Sequence, residues 1–139
     1  MSVGFTGTQR GMSPPQRQAL KSVLLQYSAR YNKFHHGMCV GAADQAAEEA
    51  YTQGFYIVGH PGHDPWGSSK RGSFNHNHDT WPAEDYIKRN HIIVDCSQLL
   101  VATPKEYAEV LQSGTWATIR YARNRGRKIV IIWPDGRVE

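Results

Sequence analysis

Two glycine-containing segments combine backbone and side-chain groups that suit the binding of a phosphate. The first, Gly7-Thr8-Gln9-Arg10-Gly11, follows a short apolar run. Glycine lets the backbone approach a ligand closely, and the exposed amides of such a turn can hold an anion. Arg10 adds a guanidinium that can bind phosphate through two parallel hydrogen bonds. The segment has neither the dinucleotide fingerprint nor the P-loop pattern, so a glycine-rich connection without a ligand is the alternative.

The second segment is Ser113-Gly114-Thr115, which we expect to open a helix. The first amides of a helix have no partner within the helix and carry partial positive charge, which favours phosphate. Ser113 and Thr115 add two hydroxyl groups. An ordinary helix start with a serine N-cap explains the same residues, and both interpretations stay open.

A polar segment, residues 61–82, is rich in histidine and follows His60. His60-x-x-His63 and His76-x-His78 could each place two imidazoles beside one metal ion. The spacing matches no recognised metal motif, so we expect a loop that covers a ligand and no metal site. His60 directly follows an apolar run, which places it at the edge of a crevice.

Apolar runs alternate with helical patterns along the whole chain. Strands are predicted over residues 3–6, 34–40, 55–59, 99–102 and 129–133, and helices over residues 13–31, 44–53, 83–95 and 113–125. Ser13 and Gln16 predict a capping box at the start of the first helix. Uninterrupted apolar strands favour a parallel sheet that helices cover on both faces. We therefore predict an α/β fold, a single Rossmann-like three-layer domain over residues 1–139 with about five strands. Ligands of such sheets bind beyond the carboxyl ends of the strands.

The composition is that of a globular protein of one domain, with 139 residues, 40% hydrophobic and 20% charged. A formal net charge of +4 suits an anionic ligand, although solubilising charge explains it as well. No dense basic patch supports nucleic-acid binding. No apolar run is long enough to cross a bilayer, and Cys39 and Cys96 show no metal or redox spacing. A cytoplasmic location is the expectation.

Four segments occur in an order that resembles the SLOG superfamily over nearly the whole chain. They are Thr6-Gly7-Thr8-Gln9-Arg10, Gly41-Ala42-Ala43-Asp44, Arg89-Asn90 and Ser113-Gly114-Thr115. The superfamily includes LOG nucleotide phosphoribohydrolases, YpsA-like proteins, molybdenum-cofactor carriers, DNA-processing protein A and the sensor domains of Thoeris antiphage effectors. The most specific likeness is Tyr86-x-x-Arg89-Asn90 ahead of Ser113-Gly114-Thr115, which is similar to the arginine-bearing helix and phosphate loop of LOG enzymes.

The resemblance implies a nucleotide or ADP-ribose-like ligand. Gly114 and Thr115 would hold its phosphate, Arg89 would reach phosphate or ribose, and Asp44 would lie near the sugar. The likeness to Thoeris sensors suggests a cyclic ADP-ribose isomer and a role as carrier, sensor or sequestering sponge in antiphage defence. Members of this superfamily commonly self-associate, so a homo-oligomer is expected.

The chain departs from LOG hydrolases just after the Gly-Thr pair. Those enzymes carry a glutamate there, whereas this chain has Trp116, Ala117 and Thr118. Cleavage of an N-glycosidic bond needs a carboxylate to stabilise developing charge or to orient water. Binding without chemistry is therefore favoured. The alternatives are a phosphoribohydrolase with a carboxylate from elsewhere in the chain, and a DNA-binding protein.

The expected site thus contains ligand-binding residues only, with no catalytic residue, metal or cofactor. Its members come from five parts of the chain. They are Gly7, Thr8, Gln9, Arg10, Gly41, Asp44, His60, Arg89, Asn90, Ser113, Gly114 and Thr115.

Overall fold

The computed structural model describes residues 1–139. It contains four helices and eight strands, joined by turns and loops. The strands are β1 (Ser2–Gly7), β2 (Lys33–His36), β3 (Tyr56–Gly59), β4 (Gly62–His63), β5 (Asp79–Thr80), β6 (Glu84–Asp85), β7 (Leu99–Thr103) and β8 (Lys128–Ile131). The helices are α1 (Pro14–Tyr27), α2 (Ala42–Thr52), α3 (Tyr86–Asp95) and α4 (Gly114–Asn124). None of these helices is long and apolar enough to cross a membrane.

Six strands form one parallel sheet in the order β5-β3-β2-β1-β7-β8. The sheet lies inside the protein, and all five residues of strand β7 are buried. Leu99 and Val101 belong to the core formed with α1 and α2, whereas Leu100 and Ala102 belong to the core formed with α3 and α4. Helices therefore cover both faces, and the predicted three-layer α/β architecture is confirmed.

Helix α1 begins at a capping box, as its sequence predicts. The Gln16 amide donates to Ser13 Oγ at 3.1 Å, and the Ser13 amide donates to Gln16 Oε1 at 3.0 Å. The helix ends at Tyr27 rather than near residue 31. The Ser28 hydroxyl donates to the Leu25 carbonyl at 2.8 Å, and the following turn brings Tyr31 into the core.

The sheet has six strands where about five were predicted. The added strand is β5, which lies in the polar segment and pairs with β3 at the sheet edge. The same segment supplies β4, which pairs with β6 in a separate two-stranded sheet. Both residues of β5 are exposed, so no apolar run marks this short edge strand in the sequence.

Strand β2 is shorter than predicted and ends at His36 instead of residue 40. Met38 adopts a φ of 57°, a left-handed conformation that interrupts a strand. Beyond it, the Val40 amide donates to the Lys70 carbonyl at 2.9 Å and thus pairs with the polar segment. The chain after β2 therefore leaves the sheet, and its residues Gly37 and Cys39 line the cleft described below.

Candidate functional site

A cleft of about 510 Å³ opens at the carboxyl ends of the central strands. The chain runs from β1 through β2 to β3 on one side, and later places β7 and β8 on the other side of β1. The sheet order thus reverses between β1 and β7, which is where parallel α/β sheets bind ligands. The volume is that of a pocket for a small molecule.

Most of the predicted ligand-binding residues line this cleft. They are Gly7, Thr8, Gln9, Arg89, Asn90, Ser113, Gly114 and Thr115. Four others lie outside the lining, namely Arg10, Gly41, Asp44 and His60. The predicted residues in the lining come from three parts of the fold, which are the end of β1, one face of α3 and the start of α4.

The first turn of α4 presents unpaired donors to the cleft. Ser113 Oγ accepts from the Trp116 amide at 3.3 Å, which leaves the amides of Gly114 and Thr115 without a protein partner. Thr115 is only 8% exposed and its hydroxyl forms no hydrogen bond, whereas the Thr118 hydroxyl donates to the Gly114 carbonyl at 2.9 Å. This turn therefore offers two amides and an unpaired hydroxyl to an anion.

The guanidinium of Arg89 is buried in the cleft wall without an acidic partner. Its Nη1 donates to the carbonyls of Gly37 at 2.5 Å and His60 at 3.2 Å, and its Nε donates to Asn90 Oδ1 at 2.7 Å. Its Nη2 has only the Cys39 sulfur, at 3.6 Å. Arg89 is 6% exposed and forms no salt bridge. A buried cation of this kind is stabilised by an anion that binds beside it.

The loop after β1 is held tightly against α2. A Cβ on Gly7 would come within 2.6 Å of the Ala42 Cβ, so no larger residue fits there. The Thr8 carbonyl accepts from the amides of Gly11 at 3.1 Å and Ala42 at 3.0 Å. The backbone of this loop is thereby fixed at the cleft edge, while the Arg10 side chain is exposed.

Two of the residues outside the lining brace neighbouring segments. The Asp44 carboxylate accepts from the Ser73 amide at 3.2 Å and the Phe74 amide at 2.6 Å, which fastens the polar segment to α2. Gly41 has a φ of 90°, and a Cβ there would overlap the backbone of Gln9. Their contacts are with the protein itself.

His60 belongs to a cluster of buried histidines that do not line the cleft. Its Nε2 lies 2.8 Å from His35 Nδ1, and Trp81 packs against its ring. His36 Nε2 lies 2.6 Å from Asn77 Oδ1. Burial lowers the pKa of His35 and His36 to about 4 and that of His60 to about 3, so all three are neutral at pH 7. Only the His60 carbonyl reaches toward the site, through Arg89.

The loop between β7 and α4 contributes two charged residues that were not predicted from the sequence. Lys105 and Glu106 both line the cleft. Glu106 Oε1 accepts from the Trp116 indole Nε1 at 3.1 Å. The available signal was the charged pair that follows a buried strand at its carboxyl end, where site residues of parallel sheets collect. Tyr86 also lines the cleft, and its ring centroid lies 5.3 Å from the Arg89 guanidinium carbon.

Neither a protein-family model nor a curated protein matches the sequence, whereas solved structures match the fold. A molybdenum cofactor binding protein from Rippkaea orientalis has a TM-score of 0.69 at 13% identity, over 95% of this chain and 76% of that one. The molybdenum cofactor carrier protein from Chlamydomonas reinhardtii has a TM-score of 0.64 at 18% identity, over 94% of this chain and 74% of that one.

DNA processing protein A from Helicobacter pylori is also similar, with a TM-score of 0.65 at 14% identity. The match covers 94% of this chain and 64% of that one, so the chain spans less than two thirds of this relative. The chain therefore has the Rossmann-like fold of molybdenum cofactor carriers and DNA processing protein A. Both kinds of protein are among those that the sequence resemblance named, and the match confirms the expected Rossmann-like fold.

Proposed function

We propose that this protein binds a phosphate-bearing small molecule of nucleotide type in the cleft, as a carrier, sensor or sequestering protein. The observation that carries the proposal is the buried, acid-free guanidinium of Arg89 in the same cleft as the unpaired amides of Gly114 and Thr115. A phosphate would supply the anion that this arrangement lacks.

The neighbouring groups support a ligand larger than phosphate alone. The cleft volume of about 510 Å³ far exceeds that of an inorganic anion, and Tyr86 adds an aromatic wall. Two of the similar structures are described as binding or carrying a molybdenum cofactor, which favours a small-molecule role for this fold. ADP-ribose and its cyclic isomers belong to the ligand class that we propose.

Calorimetry and thermal shift with a ligand panel test the proposal. The panel contains AMP, ADP-ribose, NAD, cyclic ADP-ribose isomers and cyclic dinucleotides, and chromatography follows the fate of each ligand. We expect at least one of them to bind and to be recovered intact. Release of a free base would establish hydrolysis instead. A panel without any binding would overturn the nucleotide proposal.

Single-stranded DNA belongs in the same experiment because one similar structure concerns a single-stranded DNA binding mode. The cleft offers only Arg89 and Lys105 as cationic side chains, and Arg89 is buried. Affinity for nucleic acid depends on many neutralised phosphates. We therefore expect an oligonucleotide to bind far more weakly than the best nucleotide.

A further inference from the structure

Glu106 is the only carboxylate in the lining of the cleft. Its Oε1 accepts from the indole of Trp116, a residue that is 1% exposed and packs against Trp133. Its Oε2 has no partner in the protein, since neither Lys105 nor any other cation forms a salt bridge with it. The carboxylate is thus fixed at one oxygen and open at the other.

The hydrogen bond to Trp116 does not explain why residue 106 carries a negative charge. A neutral glutamine would accept the indole hydrogen bond equally well, because an amide oxygen is also an acceptor. A carboxylate in the same cleft as the first turn of α4 is attracted to the helix end that would hold a phosphate, and it repels that phosphate. A site for phosphate alone would therefore bind better without this charge.

A ligand that carries hydroxyl groups beside its phosphate removes this conflict. A hydroxyl donates to a carboxylate in a short, strong hydrogen bond, and the open Oε2 is an acceptor of that kind. The carboxylate repels every phosphate, but a hydrogen bond from a ligand hydroxyl compensates for this repulsion. A phosphate without a hydroxyl receives no such compensation. This is a way to select one class of phosphate over another.

We propose that Glu106 is a specificity-determining residue that accepts a hydrogen bond from a sugar hydroxyl of the bound nucleotide. The ligand class is then a phosphate ester of a hydroxyl-bearing sugar, with its phosphate at α4 and its hydroxyls toward Oε2. Trp116 is a positioning residue that holds the carboxylate through its N–H. The inference rests on the proposed function, because it assumes that the phosphate occupies this cleft.

Two nucleotides and one anion test the inference by calorimetry on wild-type protein and Glu106→Gln. AMP carries the ribose hydroxyls, 2′,3′-dideoxy-AMP lacks them, and inorganic phosphate has no sugar. We expect the substitution to weaken AMP binding about tenfold, the scale of one hydrogen bond to a charged group. We expect the other two probes to bind as tightly as before or more tightly, because the repulsion is gone.

Glu48→Gln is the matched control, since it removes the same charge from an exposed position on α2 outside the cleft. It should leave the affinities for all three probes unchanged. Trp116→Phe keeps an aromatic ring but removes the N–H, and should reduce the preference for AMP over its dideoxy analogue.

Each outcome bears on the inference. Equal weakening of all three probes by Glu106→Gln would show a structural role and overturn it. A wild-type protein that does not prefer AMP over dideoxy-AMP would overturn it too, while binding of other nucleotides would leave the proposed function standing. If wild-type protein binds no nucleotide at all, the proposed function fails and the inference fails with it.

Discussion

Arg89 braces the fold and, in the function that we propose, also binds the ligand. Its Nη1 braces the carbonyls of Gly37 and His60, which follow β2 and β3, while its Nη2 has only a sulfur contact. Arginine stays charged even when buried, so the folded protein keeps a positive charge in the cleft wall. The brace fixes the guanidinium before a ligand arrives, which reduces the entropy lost on binding.

Replacement of Arg89 should separate these roles. We expect Arg89→Ala to weaken nucleotide binding by about 2 kcal/mol, the range for a hydrogen bond to a charged group. It should also lower the melting temperature, because the two carbonyls lose their donor. Arg89→Lys keeps the charge without the fork and should recover part of the affinity. A destabilised Arg89→Ala protein with unchanged affinity would show that Arg89 is a brace alone.

Two threonines of α4 allow a comparison within one helix. Thr115 and Thr118 are both buried, but only the Thr118 hydroxyl has a protein partner. We expect Thr115→Val to reduce nucleotide affinity by about 1 kcal/mol with little change in stability. Thr118→Val should instead affect the melting temperature more than the affinity. Calorimetry and thermal unfolding of both variants check this. If Thr118→Val reduced the affinity and Thr115→Val did not, the phosphate would not bind at Thr115.

At the scale of the elements, local signals predicted what lies in regular, buried structure. The capping box of α1 and the apolar run of β7 were found because each depends on residues close in sequence. The edge strand β5 was missed because it is polar and owes its conformation to pairing with β3. Glu106 was missed for a similar reason. Its position depends on the Trp116 indole on the next helix, and no sequence period marks such a contact.

Gly114 is the glycine at the start of α4 where the proposed ligand can be tested against helix stability. No atom lies within 4 Å of the position of a Cβ at this residue, so alanine fits there. We expect Gly114→Ala to leave the melting temperature unchanged or to raise stability by up to about 0.5 kcal/mol, because glycine is a poor helix former. Because Gly114 lines the cleft, the added methyl group should weaken nucleotide binding. Unchanged affinity would place the ligand away from the start of α4.

At the scale of the whole molecule, the sequence pattern predicts the parallel sheet. The site, in contrast, is assembled from distant parts of the chain. The order of the central strands brings the end of β1, α3 and the start of α4 to one cleft. The family resemblance located Arg89 and Gly114 there. The resemblance also named Asp44, and the position after β3 named His60. Neither residue lines the cleft, since Asp44 hydrogen-bonds to the polar segment and His60 to His35.

The buried histidines should make the stability of the whole protein depend on pH. Their pKa values fall to about 4 for His35 and His36 and about 3 for His60, below the ordinary value of 6.5. As the pH drops below about 6.5, these imidazoles bind protons in the unfolded chain but not in the folded protein. Stability is therefore full above this pH and is lost as the pH falls toward 4, by at most about 1.4 kcal/mol per pH unit for each imidazole.

Urea unfolding at pH 7.5, 6 and 5 measures this loss directly. The exposed carboxyl of Glu109 contributes little in this pH range, because hydrogen bonds from Arg120 and Arg123 lower its pKa below the ordinary value of 4.5. We expect the midpoint to fall steadily between pH 6.5 and 5. A midpoint that stays constant over this range would mean that the three imidazoles accept protons in the folded state, which their packing against Phe34, Trp81 and one another opposes.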